Sequence, residues 1–235
     1  MTQEIMEIDL KGVNCYLGKE GNSFILFDTG GHLTLDKTYT DRCKALRAEL
    51  ERLGCKPGNL KLIVLTHGDC DHVANAARIR EEYQTKIAMH AGDLPLVENL
   101  TIEKMMRSFH YRSLVLNVVF QIMKRPIKKL SHKVLNDFQP FKPDILVNEG
   151  DSLVEWGLDA KVLHIPGHTE GSIGVLTGNG DLIAGDIFNN VKKPGIALNG
   201  DDFKMLAQSV DRLKAMNIHT VYPGHGLPFQ MSDLK

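Results

Sequence analysis

Four side chains of types able to ligate a metal, His67, Asp69, Asp71 and His72, fall within six residues of a segment that follows the apolar run Leu60 to Leu65. A buried strand that delivers such a segment puts it at the strand's C-terminal end, where open α/β sheets place their sites. Carboxylates gathered there without partners are expensive to bury, and a metal ion resolves this by taking up their charge. Imidazole with carboxylate suits Zn²⁺, Fe or Mn²⁺ better than Ca²⁺ alone. Taken by itself, the segment also reads as a solvated turn in which Asp71 caps a helix from Val73. Three later segments tip the balance jointly: Pro166-Gly167-His168-Thr169, Gly185-Asp186 and Pro223-Gly224-His225-Gly226. Each alone is ordinary loop. Together they supply three more metal-compatible side chains just past predicted strands.

The elements that must position these residues alternate strand and helix. Val13–Leu17 and Ser23–Phe27 flank turn residues and predict a hairpin that ends in Asp28-Thr29-Gly30-Gly31. Tyr39, Cys43, Leu46, Leu50 and Leu53 form a helical stripe, with Gly54 as its stop. Leu60–Leu65 predicts a strand covered on both faces. A helix from Val73 to Tyr83 and a strand from Lys86 to Met89 follow. The second half repeats the style. Lys161–Ile165 leads into Pro166. Ser172–Thr177 and Asp181–Ala184 pair across Gly178-Asn179-Gly180. A helix carries Phe203, Leu206, Val210 and Leu213, and the strand His219–Tyr222 leads into Pro223.

Between the halves, residues 101–133 hold eight basic residues against one acid, Glu103, interleaved with Met105, Met106, Phe109, Tyr111, Phe120 and Met123. One or two helices broken near Pro126 are expected. They should cap the site or present a partner surface, with a membrane surface the less favoured partner. The 235 residues carry 28 basic and 29 acidic side chains, a balance that gives no argument for a nucleic-acid partner. Cys15, Cys43, Cys55 and Cys70 form no C-x-x-C pair. Glu4, Glu7 and Asp9 occupy the place of a secretory leader's basic and apolar stretch, so a cytoplasmic protein is expected.

The ordered set Asp28, Thr66 to His72, Pro166 to Thr169, Gly185-Asp186 and Pro223 to Gly226 resembles the metallo-β-lactamase-fold hydrolase superfamily from Asn14 to His225. The resemblance implies an α/β fold, an αββα sandwich of two mixed sheets with helices outside, as one domain over 1–235 with a helical insert at about 96–140. It assigns His67, position 69 and His168 to a first metal and Asp71, His72 and His225 to a second. Asp186 bridges them, and Asp28 stands behind the ligands. The usual motif is H-x-H-x-D-H; here Asp69 stands in place of its second His, which resembles the carboxylate pattern of flavodiiron proteins. Direct ligation by Asp69 is the favoured expectation. Two divalent ions against three carboxylates and a hydroxide make a neutral centre, friendlier to Fe²⁺ or Mn²⁺ than the usual one, with Zn²⁺ still a strong binder. The implied cofactors are thus two divalent ions that acidify a shared water. The implied function is hydrolysis of a small ester, lactone, thioester or related molecule, with Asp71 orienting the nucleophile and carrying a proton. A dinuclear-iron redox protein and a non-catalytic metal module are the alternatives. Only 10 residues follow His225, too few for the appended domains of flavodiiron or glyoxalase II proteins, and a stand-alone hydrolase is expected. His164 could brace a ligand from behind, although a core or surface place is plainer. His32 could face the site mouth, and Cys70 is expected to be small and buried.

Overall fold

The computed structural model describes residues 3–31 and 41–234. Tyr39 and His32 lie outside the described residues. The first sheet contains β1 (Gln3–Asp9), β2 (Asn14–Glu20), β3 (Ser23–Phe27), β4 (Leu60–Val64), β5 (Ile87–Met89) and β6 (Ile145–Leu146), in that spatial order. Its first three strands are antiparallel and the rest parallel. The second sheet runs β12 (Phe229–Gln230), β11 (Thr220–Gly226), β9 (Asp181–Asn190), β8 (Ile173–Thr177), β7 (Ala160–His164), with β10 (Gly195–Ile196) added on β9.

Alternation along single strands builds the layers. In β3, Ile25 and Phe27 meet Val162, Ile173, Val175 and Ile183 of the other sheet in an inter-sheet core. Phe24 and Leu26 face the opposite way. They pack in an outer core with Leu46 and Leu50 of α1 (Arg42–Arg52) and Ile79 and Tyr83 of α3 (Ala76–Tyr83). On the far side, α7 (Phe203–Lys214) lays Leu206, Val210 and Leu213 against Leu163, Leu182 and Val221. The result is helix, sheet, sheet, helix: an αββα sandwich.

Several expected boundaries shift for identifiable reasons. The helix expected from Val73 is two pieces, α2 (Cys70–Val73) and α3. They part at Asn75, whose Nδ2 donates to the Thr29 and Gly30 carbonyls and draws the chain aside. Asp71 therefore sits inside a first turn instead of capping one. β9 and β11 run on through Gly185-Asp186 and Pro223-Gly224-His225, which are strand rather than post-strand loop. Register shifts around Pro223 accommodate its missing N–H.

The insert comprises α4 (Leu94–Glu98), α5 (Ile102–Met105), a 3₁₀ turn (Met106–Phe109) and α6 (Leu114–Asp137). α6 is not broken at Pro126. Proline frees the carbonyl four residues back, and here that residue is the exposed Ile122, so water can satisfy it. Among the described residues, no helix is long and apolar enough to cross a membrane. All four cysteines are buried and unpaired.

Candidate metal centre

The loop after β4 and the bulged stretches of β9 and β11 meet at one end of the sandwich. Two groups of donors form there, His67–Asp69–His168 and Asp71–His72–His225, each with its ligand atoms mutually within 4.8 Å. In the first, Asp69 Oδ2 lies 3.3 Å from His168 Nε2 and 3.9 Å from His67 Nε2. In the second, Asp71 Oδ2 lies 3.5 Å from His225 Nε2 and 4.0 Å from His72 Nε2. Asp186 stands between them: Oδ1 is 3.3 Å from His72 Nε2, and Oδ2 is 3.1 Å from His225 Nε2 and 3.8 Å from His168 Nε2. Donors at the usual 2.0–2.2 Å from a shared ion sit about 3–3.6 Å apart, close to these separations. The structure thus brings together all seven residues singled out in the sequence, Asp69 included.

The imidazoles are set for ligation. His168 Nδ1 donates to the Asn199 carbonyl and His225 Nδ1 to the Gly12 carbonyl. His72 Nδ1 donates to Asp28 Oδ2 at 2.9 Å. The Thr66 hydroxyl donates to the same oxygen and accepts from His67 Nδ1 at 3.0 Å. Every Nδ1 is committed as a donor, so in each neutral ring Nε2 presents its lone pair inward. His67 Nε2, His72 Nε2 and Asp186 Oδ1 are buried with no hydrogen-bond partner. Orphaned buried polar atoms of this kind call for an explanation, and a cation among them is the one their chemistry fits. Gly224 makes the approach possible, since a Cβ there would collide with Asp186 Oδ1 and the His72 ring.

Asp28 stands where the sequence suggested, behind the donors. Its backbone is left-handed, φ 59°, a conformation aspartate tolerates better than most residues. That turn aims Oδ1 at the Thr66 N–H and Oδ2 at Thr66 and His72. His164 does not brace a donor directly. Its ring stacks on His90 and its Nε2 meets the Glu170 carbonyl, in the loop that carries His168.

Other supporting residues escaped the sequence reading. Buried Asp93 accepts from Gly68 N, Gly171 N and the Thr169 hydroxyl, tying the loop of His67 to that of His168. Its only signal was an acid just past β5, at the same sheet end. The Ser108 hydroxyl, from the insert, donates to Asp69 Oδ1 at 2.8 Å. Asn14 and Tyr16 hold the Pro223 carbonyl from across the sandwich.

Electrostatics follow from three carboxylates among four rings. Burial pushes the His67 imidazole down to about 4. Burial also opposes charge on His168 and His225, yet Asp69 and Asp186 respectively hold them up at about 9. Burial likewise works against the charged form of Asp186, but His225 and His72 keep it well below the carboxylate range. A metal-free centre therefore recruits protons as substitute cations. Imidazoles raised above 6.5 contribute stability that is complete below pH 6.5 and lost as pH rises through about 9. Urea midpoints of chelator-treated protein should fall across that window. With divalent metal present they should not, because a ligating imidazole is neutral and metal binding strengthens as protons leave. Equal slopes with and without metal would exclude these rings as ligands.

A cavity of about 550 Å³ opens above the centre. Asp69, Asp71, Asp186 and His225 form its polar floor, and Leu96, Leu100, Met105 and Phe109 of the insert form an apolar wall. The insert thus contributes one side of the cavity.

The sequence profile of the metallo-beta-lactamase superfamily matches residues 8–225. The chain is 26% identical over 227 residues to the probable metallo-hydrolase YflN of Bacillus subtilis (strain 168), covering 90% of this chain and 78% of that protein. It is 28% identical over 120 residues to the hydroxyacylglutathione hydrolase GloC of Haemophilus influenzae, covering 50% of this chain and 44% of that protein. In fold it resembles the crystal structure of TTHA1623 in a di-iron-bound form, with a TM-score of 0.66 and 23% identity over 97% of this chain and 95% of the other. With an αββα sandwich, donors at one end of it and a profile match over nearly the whole length, the chain belongs to the metallo-beta-lactamase superfamily.

Proposed function

We propose that this protein is a metal-dependent hydrolase of small esters, lactones, thioesters or related molecules. In this reading His67, Asp69 and His168 hold one divalent ion, Asp71, His72 and His225 hold another, and Asp186 binds both. The observation that carries it is the convergence of seven donors whose inward atoms include three buried ones without any partner. Superfamily membership and the metallo-hydrolase similarity support the reaction class. When bound, paired divalent ions would acidify a shared water and polarise the substrate's carbonyl oxygen. The chain's own residues do the rest. Asp71 reaches the cavity floor, where its carboxylate can orient a water and pass a proton to the leaving group. The apolar wall excludes bulk water and receives the substrate's hydrocarbon part.

Metal analysis of reconstituted protein, followed by a panel of lactones, thioesters, phosphodiesters and β-lactams, tests the proposal. About two equivalents of metal and turnover of a carbonyl ester or thioester are expected. Two bound ions with no hydrolysis of any substrate would instead favour a redox or purely binding centre.

Asp69 should set the metal preference. Its carboxylate is a harder donor than imidazole, and the Ser108 hydroxyl fixes its outer oxygen. Asp69→His should shift competitive loading from Mn²⁺ or Fe²⁺ toward Zn²⁺. It should also move the acidic limb of the pH–rate profile to lower pH, because the centre gains one positive charge. Unchanged preference with an unchanged limb would make Asp69 a bystander.

A further inference from the structure

α6 buries Phe120, Ile127, Ser131 and Val134, and Phe120 stacks at 5.1 Å on Phe109 of the cavity wall. Its other side is bare. Leu114, Val115, Val118, Val119, Ile122 and Met123 are 44–82% exposed. Among the described residues these make up half of the twelve large apolar side chains left exposed, gathered in ten consecutive residues. Such clustering marks a contact surface rather than scatter. The same side then turns basic: Leu114, Val118, Ile122, Arg125 and Lys129 follow at spacings of 4, 4, 3 and 4, one stripe of the helix. Lys124 and Lys128 flank it, exposed, and α6 contains no acid before Asp137.

We propose that this face of α6 docks on an anionic lipid surface, with the helix lying in the interface. The charge argues for this occupant. An apolar stripe continued by lysines and arginine complements hydrocarbon beneath a layer of negative headgroups, with the long basic side chains reaching up to the phosphates. A second copy of the chain fits less well. Apolar halves paired in parallel would bring the two basic halves together. Paired antiparallel they overlap over only about 15 Å of helix, a small patch beside the ~800 Å² per partner of a stable interface. The exposed apolar set also continues toward the cavity. The Leu198 carbonyl is bonded to Arg112 N just before α6, and Val191 lies on the cavity wall; they are 59% and 69% exposed. The docking surface stands independently of the hydrolase reading.

Co-sedimentation of the full chain with vesicles tests it. Phosphatidylcholine vesicles containing phosphatidylglycerol should pellet the protein at low salt, at least about tenfold better than phosphatidylcholine alone, and salt near 1 M should release it. Ile122→Glu, and separately Lys128→Glu with Lys129→Glu, should each weaken binding by about tenfold or more. Val154→Glu, at another exposed apolar position, should not. Circular dichroism and metal stoichiometry should be unchanged in all of these variants. No pelleting of wild type with anionic vesicles at low salt would overturn the proposal. So would undiminished binding by Ile122→Glu, or a solution dimer that Ile122→Glu dissociates, which would assign the face to a second copy.

Discussion

Asp186→Ala should strip metal from both halves of the centre at once. Among the described residues, Asp186 is the carboxylate whose oxygens approach rings of both donor groups, at 3.1 to 3.8 Å from His72, His168 and His225. Removal of a residue that merely braces a ligand weakens metal binding about 10–100-fold. On the proposed assignment, loss of a ligand shared by two ions should exceed that, and the proposed hydrolysis should fall by more than about 100-fold. Asp186→Asn keeps the shape and one acceptor oxygen but loses the charge, so it should fall between wild type and alanine. Titration with Zn²⁺ or Mn²⁺ under competition by a chelator gives the two affinities. A variant that holds two ions and full activity would dismiss the bridging assignment. One that loses only one ion would place Asp186 in a single site.

Asp28→Ala should damage both the fold and one half of the centre. The side chain is buried and accepts from Thr66 N, the Thr66 hydroxyl and His72 Nδ1. Its removal leaves buried donors unmet, at about 1–3 kcal/mol for each one that finds no water. It also frees the His72 ring to turn, which should weaken the ion on Asp71, His72 and His225 by about 10–100-fold. The ion on His67, Asp69 and His168 should weaken less, because the Thr66 hydroxyl still stands at His67 Nδ1. Metal stoichiometry at limiting concentration and a urea melt give the two halves of the result. Equal weakening of both ions would show that Asp28 serves the fold alone.

The donors were readable because His67, Asp69, Asp71, His72 and His168 lie in short segments that follow a strand and His225 lies near the end of one, and each such segment states its chemistry locally. Apolar runs such as Leu60–Leu65 stated the double-sided burial of their strands in the same way. What could not be read depends on distant pairs. Asn14 reaches the Gly226 carbonyl across 212 positions, and Ser108 reaches Asp69 across 39. No local pattern announces either. The continuity of α6 through Pro126 depends on which side of the helix faces water, and the break at Asn75 on carbonyls 45 residues earlier. Propensity alone sees the proline and misses both contexts.

The donors are drawn from both sheets, and this bears on how the chain comes apart. Asp69 and His168, 99 positions apart, meet at one candidate ion, and the second group likewise joins Asp71 and His72 to His225, near the end of the chain. Each ion would act as a removable cross-link. A covalent bridge closing about 100 residues restricts the unfolded chain by roughly 4–5 kcal/mol. A labile ion gives no such permanent restriction, but it must be released before the sheets can separate. Unfolding of the loaded protein should then be slow and set by metal departure, so that chelator concentration, more than temperature, would decide its lifetime.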